Sequence, residues 1–507
     1  MALITFRFFV IVGSCLQIYE KKYKKNNKKS YFCTFFINSL PFRRIFHNFV
    51  GENHSFSCDM KKTTLFLYFF AVATLSFAQG HEPANDGSKP NTIPLTDAER
   101  ELVKANNNFA LRLFREARTE ESAILSPLSI TYALGMLNNG ATGQTQQEIN
   151  DVLGFGNAGA DAINAFCKKM LTEAPYLDDT KVMIGNTIFV NEGMGYKLQD
   201  GFVAKANEFY KAQPQARDFN DGKTMDAINQ WASDRTNGMI QQILDEESFN
   251  PLAVSYLLNA IYFKGDWTEE FYPQSTTEES FNGGDAVPMM RRTFYSGLDY
   301  AENDLYQAVS LPYGLGAYKM TIFLPKEGKT VADVLNQMTD EAWKNFSEDY
   351  AVDVKLPRFE TQTDQDLKEI MSNLGMPTAF IPTYADFPYF CDEQVYISLM
   401  KQVAKIKVNE QGSEAAAVTI IGEEATSCKP NYAAAFHATR PFLYLITEQS
   451  TGVVFFIGQY MGKITAGASL PQQAKSSSEA IYNLAGQRLS EPPTRGIYVV
   501  NGKKVVK

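Results

Sequence analysis

Apolar and polar positions along this chain predict helices and strands in alternation over most of its length. Leu102, Val103, Asn106, Phe109, Ala110, Leu113 and Phe114 recur at helical spacing behind a Thr96–Glu99 capping box, which predicts a helix with one face on a core. Ser126 suits the N-cap, Pro127 the first turn and Gly140 the stop of a second helix. A further box, Thr145 with Glu148, opens a short helix carrying Ile149, Val152 and Leu153. Residues 157–180 read as mostly helical. Residues 182–191 (VMIGNTIFVN) are a buried strand, 228–244 a helix with Trp231, Ile240 and Ile243 apolar, and 256–267 (YLLNAIYFKGDW) a long apolar run.

The pattern lapses once, between the strand-like runs 396–400 and 441–446. The intervening VNEQGSEAAAVT (408–419) and IIGEEATSCKPNYAAAF (420–436) are small, polar and long for a loop inside a compact domain, so the segment is read as functional. In an extended conformation Ser413, Ala415, Ala417 and Thr419 share one face, and Glu414, Ala416 and Val418 the other. Small inward side chains let such a segment slide into an existing sheet, with Gly412 as its backbone pivot.

Composition adds limits. The chain has 507 residues, 45% of them hydrophobic, and a net charge of −9; residues 1–59 carry nine Lys and Arg against three Asp and Glu, which leaves −15 on the rest. An acidic body argues against nucleic acid as a partner. From Met60 the pattern is that of a secretory signal peptide: Lys61-Lys62, an apolar stretch 65–75, then Ser76-Phe77-Ala78. Met60 is therefore read as the true start and 1–59 as an upstream extension; the alternatives are a genuine basic extension, or processing at Val12-Gly13-Ser14-Cys15, which resembles a lipoprotein site. Cleavage after Ala78 leaves Cys167, Cys391 and Cys428, an odd set that rules out full pairing, and no spacing suits a metal. From residue 80 onward the histidines are His81 and His437, too few for a Ser or Cys hydrolase or a His-based metal site, so enzyme activity is set aside. His437 is read as an ordinary strand residue.

Glu410, Gln411, Gly412, Ser413, Glu414, Ala415, Ala416 and Ala417 resemble the hinge of the serpins: Glu, any residue, Gly, Ser or Thr, Glu, then Ala. The run 126–136 with Gly140-Ala141 and Gly143, the Asn259, Lys264 and Trp267 positions of 256–267, the runs 309–312 and 320–325, then 352–359, 374–376, 385–387, 436–442 and 452–462 resemble serpin segments in order, over about residues 98–464. The resemblance implies an α+β serpin fold of three β-sheets and about nine helices with an exposed reactive-centre loop. It implies that Ser126, Ser129 and Asn259 belong to a hydrogen-bonded group controlling sheet opening, and that Trp267 lies where the loop first enters. Gln402 stands where serpins usually carry a His, so the group keeps donors and acceptors but loses a titratable member.

Suicide inhibition follows from the resemblance: a protease acylates the loop, and the freed strand enters the central sheet. The rival is a non-inhibitory serpin acting as a carrier; small inward residues through Thr419 favour the inhibitor. The resemblance implies an attacked bond about sixteen residues after the hinge Glu, which from Glu410 reaches Thr426 and Ser427, with Glu424 and the Ser427–Cys428 bond as rivals. A small uncharged Thr426 suits an elastase-like or subtilisin-like serine protease, with a cysteine protease the other class. Lys168 and Lys169 are the only basic pair in the region that binds glycosaminoglycan in some serpins, so no such cofactor, and no other, is expected; the protein is read as a monomer. The boundaries are 60–78 signal peptide, 79–95 flexible lead, 96–465 serpin domain, 466–480 linker and 481–507, whose two apolar stretches resemble the C-terminal sorting segments of type IX secretion in Bacteroidota. That implies an extracellular or cell-surface protein, or a periplasmic one if the segment does not sort.

Overall fold

The computed structural model describes residues 89–413 apart from 157 and 345, then 433–462, and four short strands within 481–506. Among these residues there are eight α-helices and three sheets, a mixed architecture close to the expected one. The helices are α1 (Asp97–Ala117), α2 (Pro127–Asn138), α3 (Gly143–Leu153), α4 (Ala160–Glu173), α5 (Asp200–Tyr210), α6 (Thr224–Arg235), α7 (Val331–Gln337) and α8 (Lys368–Asn373).

The larger sheet has nine strands. β1 (Ala123–Leu125), β5 (Thr277–Ser280), β6 (Ala286–Glu302), β7 (Tyr306–Tyr313), β8 (Tyr318–Pro325), β9 (Ser347–Pro357), β13 (Ala433–His437), β14 (Phe442–Glu448) and β15 (Val454–Tyr460) form it, in the order β1-β15-β14-β8-β7-β6-β9-β13 with β5 on β6. The six-stranded sheet comprises β2 (Lys181–Asn191), β3 (Gln215–Arg217), β4 (Ser255–Asp266), β10 (Phe359–Asp366), β11 (Leu399–Val408) and β12 (Gly412–Ser413), ordered β10-β11-β12-β4-β2-β3. β16 (Ile481–Asn483), β17 (Arg488–Leu489), β18 (Ile497–Val500) and β19 (Lys503–Val506) make a small antiparallel sheet in the region read as a sorting segment.

α2 is buried at every position and packs on β2, β4 and β15, which puts it between the two large sheets. A helix apolar all round must lie inside a core. It starts as the sequence predicts, with the Ser126 side chain accepting from Ser129 N–H and Pro127 in the first turn. The Thr96–Glu99 box also forms and opens α1.

Several expectations need correction. α3 begins at Gly143, and the Thr145–Glu148 box is absent: Thr145 Oγ1 accepts from Asp386 N–H, and Glu148 accepts from the Thr378 amide and hydroxyl. The helix expected over 228–244 is α6, which stops at Arg235 before Asn237 (φ 53°) and Gly238 (φ 79°); Ile240 and Ile243 are buried from irregular chain. The run 436–442 is split between β13 and β14. Residues 89–95 of the lead are tied down, with Ile93 buried and its N–H donated to Ser450 Oγ at 2.9 Å. The linker 466–480 lies outside the described residues.

Candidate functional site

β11 and β4 run parallel and pair from Leu399 opposite Tyr256 to Ala404 opposite Ile261. Above this seam β12 lies between them, Ser413 opposite both Val408 and Gly265, and Gly412 opposite Asp266. Between seam and β12, Lys405 to Lys407 pair with the outer neighbour β10, and Tyr262 to Lys264 with the outer neighbour β2.

The chain reverses into β12 over residues 409–411. Asn409 N–H donates to Gly412 O at 2.9 Å, and Asn409 Oδ1 accepts from Gln411 N–H at 3.0 Å. Position 412 requires glycine twice over: φ is 152°, and a Cβ there would stand 2.1 Å from Gly265 O. Ser413 is fully buried, its Oγ 2.8 Å from Tyr313 Oη. Burial pushes the Tyr313 phenol well up, with the Ser413 hydrogen bond opposing, so it stays protonated. Tyr313 stacks on Trp267 with ring centroids 4.4 Å apart. Trp267 in turn holds the reversal by two bonds, N–H to Gln411 O at 2.7 Å and Nε1–H to Asn409 O at 2.9 Å.

Glu410 points back into the body. Its carboxylate accepts from Arg358 and, at 2.6 Å, from Thr276 Oγ1. Burial alone would raise the Glu410 carboxyl, but the Arg358 and Thr276 hydrogen bonds and the Arg358 charge outweigh it, and the group lies below the usual glutamate range.

Deeper along the seam, Gln402 sits opposite Asn259. Gln402 Nε2 donates to Asn259 Oδ1 at 2.6 Å and to Ser129 Oγ at 2.9 Å, and its Oε1 accepts from Ser126 N–H at 2.9 Å. Ser129 Oγ donates to Asn259 Oδ1 at 2.7 Å, and Asn259 Nδ2 to Asn186 Oδ1 at 2.6 Å. All five residues are at most 4% exposed. The cluster ties α2 to both strands of the seam, so β11 and β4 cannot part there without breaking the Gln402–Asn259 bond.

Ser126, Ser129, Asn259 and Gln402 are thus together, and Trp267, Glu410, Gly412 and Ser413 form a second group at the top of the gap. Glu414, Ala415, Ala416, Ala417, Thr426, Ser427 and Cys428 lie outside the described residues. Cys167 and Cys391 are free and buried. Lys168 pairs with Glu208 and Lys169 with Glu99. His437 bonds Asp353 at 2.9 Å on β9. Sequence reasoning missed Tyr313, Arg358, Thr276 and Asn186. Their partners are 52 to 134 residues away, and no local pattern marks them.

The profile described as Serpin (serine protease inhibitor) matches residues 104–462. Glia-derived nexin of Rattus norvegicus is 32% identical over 375 residues, covering 71% of this chain and 92% of that protein. Neuroserpin of Mus musculus is 29% identical, covering 69% and 88%. Among solved structures, the native thermophilic serpin tengpin aligns with a TM-score of 0.66 at 27% identity over 74% of this chain and 97% of its own. Human thyroxine-binding globulin complexed with thyroxine aligns at 0.64 and 25%, covering 71% and 98%. The chain belongs to the serpin family.

Proposed function

We propose that this serpin is a secreted inhibitor that traps a serine protease, or a cysteine protease, by suicide inhibition. The protease acylates the loop at Thr426–Ser427, and the freed strand then enters the six-stranded sheet between β11 and β4. The observation that carries the reading is β12, whose two residues already pair with both neighbours above a stretch in which those neighbours, among the described residues, do not pair with each other. Extension of β12 would replace one parallel contact by two antiparallel ones. About 15 inserted residues at roughly 3.3 Å each span some 50 Å, enough to drag the enzyme across most of the molecule and distort its active site before water deacylates it.

A small uncharged residue at the attacked bond fits an elastase-like or subtilisin-like primary pocket. Lys429 precedes Pro430 and makes a poor trypsin site. The acidic body and the two internally paired lysines of α4 fit a monomer that needs neither nucleic acid nor glycosaminoglycan. The signal peptide at 60–78 and the 481–507 segment support export to the cell surface or medium. No helix among the described residues is long and apolar enough to cross a membrane.

The likeness to thyroxine-binding globulin favours a second reading, a carrier. Incubation with a panel of elastase-like and subtilisin-like proteases, followed by denaturing electrophoresis, separates the two. The inhibitor gives a denaturant-resistant adduct and a released C-terminal fragment beginning at Ser427. A fragment beginning at Ala425, Cys428 or Pro430 overturns the bond assignment, and cleavage without any adduct overturns the inhibitor.

A further inference from the structure

The segment 267–276 runs from the end of β4 across the hinge reversal and supplies it with donors: Trp267 N–H and Nε1–H, Phe271 N–H to Glu410 O at 2.8 Å, and Thr276 Oγ1 to the Glu410 carboxylate. Two different anchors hold this strap. Its first residues are fixed to β7, where Thr268 N–H donates to Pro312 O at 2.9 Å and Thr268 Oγ1 to Gly314 O at 2.8 Å. Its middle is gripped by Arg292 of β6. One guanidinium nitrogen donates to Glu270 O, another pairs with the Glu269 carboxylate, and the plane lies 4.8 Å from the Tyr272 ring centroid and 5.2 Å from that of Phe294. Phe294 also meets Phe271 edge to face at 5.9 Å. Arg292 touches nothing in residues 409–413 by any of these contacts, yet it fixes the carbonyl, carboxylate and ring that set where the Phe271 amide points. The planar fork can serve Glu269 and Glu270 at once while stacking, which an ammonium cannot.

We infer that Arg292 is a positioning residue for loop insertion: by clamping residues 269–272 it keeps the Phe271 amide on Glu410 O and so holds β12 seated as the nucleus from which the strand extends. Strand addition to a seated nucleus avoids the cost of closing a new contact, and trapping requires that addition to outrun deacylation. Loss of the clamp therefore diverts protease from the adduct toward simple cleavage. The kinetic consequence rests on the inhibitory reading; the positional claim does not.

Amide hydrogen exchange on the full chain tests the position, using Arg292→Gln and the charge-keeping Arg292→Lys. The Phe271, Gly412 and Ser413 amides of Arg292→Gln are expected to exchange on the order of tenfold faster or more, the loss of about one charge-assisted bond, with Arg292→Lys in between. The Thr268 amide, which donates to Pro312 O of β7, keeps its wild-type rate. Unchanged Phe271 exchange in Arg292→Gln overturns the inference, and so does acceleration of all body amides in parallel, which would mark general destabilisation. With a protease that wild type traps, Arg292→Gln is expected to form adduct at an unchanged association rate but at least about threefold lower yield per loop cleaved, given that partition follows the ratio of two rates; an unchanged yield overturns the inference. If wild type traps no protease, the inhibitory reading fails, while the exchange experiment still decides the clamp.

Discussion

Every polar atom of Gln402 is committed, Oε1 to Ser126 N–H and Nε2 to Ser129, Asn259 and Ser126 O, and none of these groups titrates near neutrality. The closed seam should therefore gain or lose no stability through this cluster between pH 5.5 and 7.5, about the range in which an imidazole would titrate. Gln402→His is expected to change that. An imidazole buried there is held neutral, its pKa below the unfolded value of about 6.5, so the variant loses stability relative to wild type as pH falls through that value. Melting temperatures of both proteins across that range check it, and parallel curves refute it. Glu410 also loses stability as pH falls, but in a more acidic window and because its charged form is the one held. Its carboxyl is held below the usual range, so the Arg358 pair contributes fully above the unfolded glutamate value of about 4.3 and is lost as pH falls through the lower folded value. Glu410→Gln should remove the part of the acid sensitivity of Gly412 amide exchange that appears below about pH 4.5 and leave exchange at pH 7 raised throughout.

At the scale of the element, β12 is the smallest strand in its sheet and the most constrained. A Cβ at Gly412 would collide with the Gly265 backbone, so Gly412→Ala should unseat β12 and raise Ser413 amide exchange even without protease. Ser413 faces a buried Tyr313 hydroxyl, and Ser413→Arg would bury an unpaired guanidinium there at a cost of several kcal/mol. Ala415→Arg would do the same if inward parity continues, and both variants are expected to become substrates, read as cleaved monomer in place of adduct; equal trapping by either refutes the parity. Elements were legible in the sequence wherever their determinants are local. The Thr96–Glu99 box and the Ser126-Pro127 start need only neighbours along the chain, and both form. The Thr145–Glu148 box has the same local letters, but Asp386 and Thr378 claim its side chains. In 228–244 the apolar period runs on through Ile240 and Ile243, while Asn237 and Gly238 take left-handed angles that end the helix. The hinge could be read from its small residues, whereas the partners that seat it come from β7, from Arg358 between β9 and β10, and from the 267–276 strap, contacts that only the folded chain creates.

At the scale of the molecule, the reading predicts a metastable native state. Cleavage between Gly422 and Lys429 is expected to raise the melting temperature sharply, because an inserted strand adds pairing on both edges and buries its inward side chains. A cleaved form that melts with the intact one would support the carrier. The register of β12 adds a measure of distance. Six residues beyond Ser413, and six back from Val408 and Gly265, stand Thr419, Gln402 and Asn259, so a strand extended in register brings the Thr419 hydroxyl between the two amides whose mutual bond it has just parted. One hydroxyl can accept from Gln402 and donate to Asn259, restoring both partners. The loop is thus graduated like a ruler against the seam, and length errors are not equivalent. Deleting Ala416 alone turns every later side chain to the wrong face, whereas deleting Ala416 and Ala417 keeps the faces and slips the scale by two marks, sparing burial but carrying Ile421 to the place meant for Thr419. The single deletion should abolish trapping and the double deletion only reduce it, an ordering by parity that a loop acting as a plain flexible tether would not produce.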